Sequence, residues 1–426
     1  MKMRSMKTTL AVLAFCGASV SAQMTGQMQT PAPAAAPAAQ QARPLSPAGT
    51  ATAMVGGEWT KNAQGNPVYQ GGKSIEVVYS RPMLRQRDNI FGSGADYGKT
   101  VKAGGAVWRA GANANTLLKT DVPLVFDGKT VPAGEYAVLI DLKAADQWTL
   151  ILSSQPRQKA FDANNKTDLI GTTNYDPKHD ALRVQMDVSQ LGTRIDQFTI
   201  FFANVTKDTG VLGIAWDKTM AGAEFTVGSG PAGAPRQVPL SPPGVSTAML
   251  GGEWKKNAEG NMVYEGGKWI EVAYNRPMLR QRANIFGAGA EYGKAVLAGA
   301  PVWRVGANQT TRFKTEVPLV FGGKTLPAGE YSMFVDLKEG AWTLIFSNWP
   351  AQQKYSPDDK TALWGGYGYT PDKDVLRVVM ETDSSGMSMP SIEQLTILFG
   401  DVTKDSGRLL IIWEKTTAMA AFTAGR

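Results

Sequence analysis

The sequence predicts an all-β protein made of two tandem antiparallel β-sandwich domains of jelly-roll-like type. Three observations support this fold class: a long internal repeat, short segments in which apolar and polar residues alternate, and turns rich in Gly and Pro between those segments. The sequence contains no long amphipathic helical pattern. Short strands at close spacing, separated by such turns, are typical of an antiparallel sandwich or barrel.

The internal repeat predicts the domain organisation. The segment Met54–Thr120 returns as Met249–Thr315, and roughly seven residues in ten are identical from Ala51 to Thr120. Two units of roughly 180 residues are each long enough to bury a core. The predicted organisation is a signal peptide at 1–22, a disordered Ala/Pro/Gln spacer at 23–42, a first β-domain at 43–227, a linker at 228–236 and a second β-domain at 237–426.

Alternating apolar and polar residues predict the strands. Ile75, Val77 and Tyr79 alternate with other residues in the segment 74–80, as in a strand with one buried face. The segments 148–152 and 198–202 show a similar period. Asp127-Gly128 and Gly322-Gly323 are residues that tolerate a positive φ, which a tight hairpin turn requires.

The first residues are typical of an export signal. Lys2, Arg4 and Lys7 precede an apolar run, and small residues at 20–22 fit a cleavage site. The run is too short to cross a bilayer comfortably. Cys16 is the only cysteine and lies inside this run, but the bulky Phe15 before it disfavours a lipid anchor there. We therefore expect a periplasmic or secreted protein without a transmembrane segment.

The composition disfavours several classes of function. The formal net charge is +7, with about three of these charges in the signal, and no run of Lys or Arg indicates a nucleic-acid partner. His179 is the only histidine, and Lys373 is its counterpart in the second unit. A Ser-His-Asp triad, a Cys-His pair and a zinc site are therefore poorly supported. We predict no catalytic residue, no metal and no cofactor, and favour a non-enzymatic protein.

Recurring carboxylates leave one enzymatic alternative open. Glu76, Asp96 and Glu135 have acidic counterparts in the second unit, which are Glu271, Glu291 and Glu330. Two carboxyl groups on either side of a glycosidic bond are the machinery of a glycoside hydrolase. The spacing along the chain does not place any two of these acids at a working separation.

The repeated arginines are the first candidate binding group. Arg81, Arg85 and Arg87 follow a predicted strand and bracket Pro82, which ends regular strand pairing. Their counterparts are Arg276, Arg280 and Arg282. A guanidinium suits carboxylates, phosphates and aromatic faces, so one interpretation is an anion- or sugar-binding patch. The interpretation we favour is structural, with each arginine bound to a nearby carboxylate or loop carbonyl. A tight packing surface between the two domains would also keep this half of the repeat alike.

The second candidate binding group is Trp108-Arg109 with Asn113, repeated as Trp303-Arg304 with Asn308. An exposed Trp beside Arg and Asn is typical of a sugar platform, because the ring covers apolar C–H faces while the polar groups bind hydroxyls. Packing of each tryptophan in the core is the commoner situation, and we favour it. Both asparagines can equally serve a turn.

Several motifs occur in the same order in both units. They are Ser46-Pro47, Tyr79–Pro82, Ile90–Gly92, Trp108–Asn113, Gly128–Tyr136 and Trp148, repeated at Ser241-Pro242, Tyr274–Pro277, Ile285–Gly287, Trp303–Asn308, Gly323–Tyr331 and Trp342. Over nearly all of both units the sequence resembles the domain-of-unknown-function family 2911 of exported bacterial proteins. The resemblance implies export and a β-rich fold and brings no established activity. The chain departs from the family pattern through an insertion at 99–105, and through Ala114 and Gln309 where the pattern has an acid.

These observations favour an exported, non-enzymatic module that binds a glycan or another component of the cell envelope. The alternatives are a carboxylate-dependent glycoside hydrolase and a purely structural envelope protein. The sequence does not indicate an oligomeric state.

Overall fold

The computed structural model describes residues 44–234, 236–384 and 389–425, and the predicted signal peptide, spacer and Cys16 anchor lie outside these residues. Within them the protein is all-β, with antiparallel strand pairing throughout its sheets and very little helix. The all-β class predicted from the sequence is confirmed, whereas the jelly-roll-like sandwich order stays a prediction.

The first repeat runs from Ala48 to Val227 and contains one short helix, α1 (Lys99–Lys102), and two 3-10 turns, Gly94–Asp96 and Pro177–His179. Its strands are β1 (Ala48–Val55), β2 (Glu58–Lys61), β3 (Pro67–Gln70), β4 (Lys73–Ser80), β5 (Leu117–Thr120), β6 (Leu124–Phe126), β7 (Lys129–Val131), β8 (Gly134–Ala144), β9 (Gln147–Ser153), β10 (Asp180–Ala203) and β11 (Thr209–Val227).

The second repeat has the same element order and includes helix α2 (Lys294–Leu297) and the 3-10 turns Gly289–Glu291 and Pro371–Lys373. Its strands are β12 (Pro243–Leu250), β13 (Glu253–Lys256), β14 (Met262–Glu265), β15 (Lys268–Asn275), β16 (Thr311–Thr315), β17 (Leu319–Phe321), β18 (Lys324–Leu326), β19 (Gly329–Asp336), β20 (Thr343–Ser347), β21 (Asp374–Val379), β22 (Glu381–Asp383), β23 (Ile392–Gly400), β24 (Ser406–Glu414) and β25 (Thr416–Ala424).

Local sequence explains the strands and turns. In β4 the side chains of Ile75, Val77 and Tyr79 are buried while the intervening positions are half-buried, as the alternation predicts. Asp127 and Gly128 join β6 to β7 with φ of 45° and 72°. Only residues that accept a left-handed backbone can make this tight turn.

Long strand β10 takes part in two sets of strand pairings within the first repeat. Its first part pairs with β9, in a sheet with the order β1-β4-β5-β8-β9-β10, and its second part pairs with β11. The second repeat follows the same path, but β21, β22 and β23 take the place of the one long strand. Its sheets have the orders β12-β15-β16-β19-β20-β21 and β23-β24-β25-β17-β18.

The two repeats are joined through their central strands. Strand β10 pairs antiparallel with β23, so that Ile195 lies opposite Gly400 and Ala203 lies opposite Ile392. One sheet therefore continues from the first repeat into the second, and Pro44–Arg426 cluster as one compact unit. The domain boundaries predicted from the sequence stay a prediction. The predicted linker lies against the first repeat, where Gly233 N donates to Asp121 O at 2.9 Å and Arg236 Nε to Asp121 Oδ1 at 2.6 Å.

Each repeat keeps a core of its own. The first is built around Trp108, Trp148, Phe198 and Trp216, and the second has the equivalent cluster around Trp303. A smaller third cluster lies between the repeats and is formed by Ile195, Phe201, Ala203, Ala215, Ile392, Leu398, Leu410 and Ile412. Because β23 and the segment 195–203 of β10 bury both of their faces, they contribute side chains both to a repeat core and to this shared cluster.

No helix in the described parts of the chain is long and apolar enough to span a membrane.

Candidate functional site

The repeated arginines at 81–87 and 276–282, hereafter the Arg loops, lie in the contact between the two repeats. Arg81 is only 3% exposed; its Nη1 donates to Val245 O at 2.6 Å and its Nη2 to Thr199 Oγ1 at 3.1 Å. Arg276 makes the equivalent bonds from the second repeat, with Nη1 donating to Thr50 O at 2.5 Å. Each of these arginines therefore satisfies backbone carbonyls of the other repeat's edge strand, β12 or β1.

Arg85 packs on an aromatic hairpin of the opposite repeat. The aromatic hairpins are β2–β3, with Trp59 and Tyr69, and β13–β14, with Trp254 and Tyr264. The guanidinium carbon of Arg85 lies 4.6 Å from the ring centroid of Trp254, and Trp254 Nε1 donates to Arg85 O at 2.9 Å. A cation over an indole face is attracted by the ring quadrupole, and the indole N–H satisfies a loop carbonyl.

The reciprocal contact has nearly the same geometry. Arg280 lies 4.7 Å from the Trp59 ring centroid, and Trp59 Nε1 donates to Arg280 O at 2.9 Å. Gln86 Nε2 donates to Gly251 O at 2.6 Å, and Gln281 Nε2 donates to Gly56 O. The two repeats are thus related by an approximate two-fold arrangement in which each Arg loop fits the other repeat's hairpin.

The Arg loops hold a costly backbone conformation. Arg85 and Gln86 have φ of 48° and 62°, and Arg280 and Gln281 have φ of 50° and 64°. Two consecutive non-glycine residues in the left-handed region cost of order 1–3 kcal/mol each and persist only where surrounding contacts impose them. The contacts with the opposite hairpin supply that constraint.

One buried carboxylate lies behind each Arg loop. Asp196 and Glu393 occupy equivalent positions on β10 and β23, and both are almost completely buried. Burial raises the pKa of Asp196 to about 7, although Arg194, Arg87 and Arg85 act in the opposite direction. Burial likewise raises the pKa of Glu393 to about 8. Desolvation of the same region lowers the pKa of Arg85 and Arg280.

The tryptophans of the second predicted group are core residues. Trp108 and Trp303 are each 1% exposed. Trp108 stacks on Trp216 with ring centroids 6.1 Å apart, and Trp303 stacks on Trp413 at 6.3 Å. The idea of an exposed sugar platform at Trp108 and Trp303 does not fit this placement, because a solvent-borne ligand cannot reach either ring. The arrangement is the core packing that we favoured.

The neighbours of these tryptophans reach the surface. Arg109 and Arg304 are half-buried, and each donates through Nη1 to the backbone oxygen of Asn113 or Asn308 at 2.9 Å. Both asparagines are exposed and adopt a φ of 59°, the left-handed turn conformation. The predicted binding residues are therefore split between the inter-repeat contact, the cores and these two surface turns.

Arg304 borders a groove lined by aromatic residues in the second repeat. This aromatic groove has a volume of about 690 Å³ and lies on the segment 348–369, hereafter the second outer loop. Its aromatic side chains are Tyr355, Trp364 and Tyr367, and Tyr355 and Tyr367 are 58% and 45% exposed. The ring centroids of Tyr355 and Trp364 lie 5.7 Å apart, at an interplanar angle of 55°.

The second outer loop is held in shape by Gln352. Its buried amide donates to the backbone oxygens of Ser356, Asp359 and Ala362 at 3.0–3.2 Å and accepts from Ser356 N. Arg304 supports the groove from one side, because its guanidinium carbon lies 5.2 Å from the Tyr367 ring centroid. Gly365 permits this approach, since a Cβ there would lie 2.4 Å from Arg304 Nη1. The aromatic groove is therefore preorganised.

The first repeat presents a different surface at the equivalent place. In the first outer loop, 154–175, the counterparts of the groove aromatics are Phe161, Ile170 and Thr173. Phe161 is 71% exposed, but the other two positions carry no ring. Gln158 and Gly171 keep the same roles as Gln352 and Gly365, so the loop backbone is shared while its aromatic lining is not.

The acids of the hydrolase alternative in the first repeat lie on the strands of one sheet and on an exposed turn. Glu135 forms ion pairs with Lys119, at 3.1 Å, and with Arg157 on the sheet surface. Asp96 pairs with Lys99 at 2.6 Å on an exposed turn. Glu76 lies beside Lys119 on the next strand. Among the described residues no cluster of three or more His, Cys, Asp or Glu could hold a metal ion.

The rings of the aromatic hairpins and of the aromatic groove are not among the residues predicted from the sequence. Trp59 and Trp254 stand at equivalent positions in a Glu-Trp pair, so their repetition was a usable signal. For the groove residues the usable signal was a difference between the two repeats. Aligning the outer loops shows three aromatic residues, Tyr355, Trp364 and Tyr367, of which only the first has an aromatic counterpart.

The comparisons with known proteins agree with this two-fold organisation. The family model described as "Protein of unknown function (DUF2911)" matches residues 62–225 and again residues 257–422, one match in each repeat. No curated protein and no solved structure matches the chain. The two family matches together cover more than half of the sequence, and the chain therefore belongs to the DUF2911 family, of which it carries two tandem copies.

Proposed function

We propose that this protein is an exported, non-enzymatic glycan-binding module, and that the aromatic groove of the second repeat is its binding surface. One observation carries the proposal: Tyr355, Trp364 and Tyr367 expose ring surface around one groove of about 690 Å³ beside Arg304. The predicted export signal supports a ligand outside the cytoplasm, such as a polysaccharide of the cell envelope.

The groove has the chemistry that recognition of a pyranose chain needs. Aromatic faces cover the apolar C–H faces of sugar rings, and polar side chains at the rim bind the hydroxyls. Lys360 and Asp359 line the same groove and provide such rim groups. Gln352 fixes the loop before a ligand arrives, so binding loses less conformational entropy than it would with a loose loop.

Affinity electrophoresis of the full chain through gels containing soluble polysaccharides tests the proposal. The probes are laminarin, hydroxyethyl cellulose and xylan, together with sedimentation on purified peptidoglycan sacculi. We expect retardation or co-sedimentation with at least one probe, and a loss of about tenfold or more in affinity for Trp364→Ala and Tyr355→Ala.

The first repeat provides the matched control. Phe161→Ala removes the exposed ring at the position equivalent to Tyr355 and should leave binding unchanged, because no groove rings accompany it. The proposal fails if the parent protein binds none of the probes, or if a folded Trp364→Ala variant binds as well as the parent.

A purely structural envelope protein is the second candidate. The observation that favours it is the use of both Arg loops in the contact between the repeats. In that case the part of the sequence that matches best between the repeats holds the two repeats together. The groove variants would then change neither glycan binding nor association with the envelope.

A further inference from the structure

The contact between the repeats consists of pairs of equivalent interactions. Arg85 lies on Trp254 and Arg280 lies on Trp59; Arg81 binds Val245 O and Arg276 binds Thr50 O. In an interface of this kind each contact occurs twice, with the roles of the two repeats exchanged, as in a symmetric homodimer. A single repeat thus carries both halves of the contact, an Arg loop and an aromatic hairpin.

The backbone pairing has the same self-complementary form. The register of β10 on β23 places Ile195 opposite Gly400 and Ala203 opposite Ile392, and these are equivalent residue pairs read in opposite directions. The flanking bonds also correspond. Asp401 N donates to Arg194 O, and Asn204 N donates to Ser391 O, both at 2.8 Å.

The two repeats contribute side chains of different size to the shared apolar cluster. In the first repeat Phe201 lies opposite Gly213, where a Cβ would approach the Phe201 ring to 2.4 Å. In the second repeat Leu398 lies opposite Leu410. At this position a large side chain is thus compensated by its own neighbouring strand and not by the partner repeat. Gly400, the counterpart of Ala203, is the exception, because a Cβ there would lie 2.6 Å from Thr193 Cγ2 of the first repeat, so a second copy of the first repeat requires that side chain to shift.

We propose that each repeat carries a self-complementary docking surface, formed by its Arg loop, its aromatic hairpin and the edge by which β10 pairs with β23, whose fitting partner is a second copy of the repeat. In the intact chain the partner is the other repeat. This surface explains why the string at Arg81–Arg87 recurs unchanged at Arg276–Arg282: each loop has to fit a hairpin of the same design.

The first test cuts the full chain between the repeats. A protease site inserted between Gln237 and Val238 leaves Arg236, which binds Asp121, on the first fragment. After cleavage of the folded protein we expect both fragments to co-elute at the size of the intact chain. Arg85→Ala/Arg280→Ala should weaken this association by about tenfold or more, because each substitution removes a cation from an indole face.

The matched control is Arg157→Ala/Arg312→Ala, which removes two arginines from surface ion pairs with Glu135 and Glu330 outside the contact. This variant should leave the association unchanged. Separation of the cleaved fragments into single species would overturn the proposal, and so would equal effects of the two double variants.

The second test asks whether the partner has to be the other repeat. A chain in which residues 237–426 are replaced by a second copy of residues 44–236 should have the same radius of gyration in small-angle scattering as the parent. Self-complementarity is refuted if this chain is extended, with two separate bodies, or if it aggregates while the cleaved parent stays associated. Both readouts are independent of glycan binding.

Discussion

The Arg loops and the outer loops of the two repeats have changed to very different extents. The Arg loops are identical in sequence, and each has the same strained backbone and the same indole partner. The outer loops keep their backbone anchors, Gln158 and Gln352, but differ in the rings that they expose. The identical Arg loops lie where one repeat meets the other, whereas the differing outer loops lie outside that contact.

The repeated arginines of the Arg loops serve the contact between the repeats. A letter-for-letter repeat of three arginines suggests a ligand site, yet Arg81 and Arg276 bind main-chain oxygens of the opposite repeat. A contact between equal partners constrains both copies at once, because a change in either loop must suit the opposite hairpin. A ligand site on one repeat places no such demand on the other.

The largest expected effect is the loss of a hairpin indole. Trp254→Ala removes the ring beneath Arg85 and Arg87 and the donor to Arg85 O, so the free energy of unfolding should fall by about 3 kcal/mol. Trp59→Ala should cost a similar amount, as measured by urea denaturation. A large effect at one tryptophan with none at the other would break the two-fold comparison.

The buried acids should make stability depend on pH. The folded pKa values of Asp196 and Glu393, about 7 and about 8, lie above those of an unfolded chain, so between pH 5 and 9 the folded state binds more protons. The free energy of unfolding should therefore fall as pH rises, by about 2 kcal/mol or more over this range.

The isosteric double variant Asp196→Asn/Glu393→Gln is the control for this pH effect. It removes both titrating groups with little change in shape. The free energy of unfolding of this variant, measured by urea denaturation, should therefore depend much less on pH than that of the parent. A parent protein that becomes more stable from pH 5 to pH 9 would contradict the assignment.

A smaller effect sharpens the contrast between the outer loops. Gly365→Ala and Gly171→Ala each place a Cβ within 2.4–2.6 Å of an arginine Nη1 at a left-handed position, and each should cost about 1–2 kcal/mol of stability. Only Gly365→Ala should also weaken glycan binding, because only Arg304 supports a ring of the groove. Equal binding by both glycine variants would remove Arg304 from the proposed site.

The smallest expected effect concerns a cation–π pair present in one repeat. Lys373 Nζ lies 3.5 Å from the centroid of the Trp349 ring, and the equivalent positions are His179 and Gln155. Lys373→Ala should lower the free energy of unfolding by about 0.5–1 kcal/mol, and His179→Ala by less. Thermal midpoints of both variants, measured side by side, check the difference.

Much of the fold was predictable because it depends on local patterns. The alternation in β4 and the turn at Asp127-Gly128 specify a strand and a hairpin within a few residues, and the structure confirms both. The joining of β10 to β23 was not predictable. It pairs residues about 190 to 205 positions apart, and a sequence pattern shows that a strand is buried on both faces without showing which strand lies beside it.

The candidate site was only partly predictable for a related reason. Of the predicted residues, Arg304 contacts Tyr367 of the aromatic groove, and its Nη1 donates to Asn308 O. Trp303, adjacent to Arg304 in the sequence, is in the core instead, since successive residues of an extended segment point in opposite directions. The sequence alone does not show which of two adjacent candidate residues lies at the surface and which lies in the core.

The order in which the polypeptide is made gives the β10–β23 pairing a further consequence. Residues 195–203 are complete long before the ribosome reaches Ile392, the start of the strand that pairs with them. During that interval the nascent first repeat presents unpaired main-chain donors and acceptors along β10, a template on which neighbouring chains can add. The nascent chain is thus open to aggregation through this edge for as long as the roughly 190 residues before Ile392 are being synthesised.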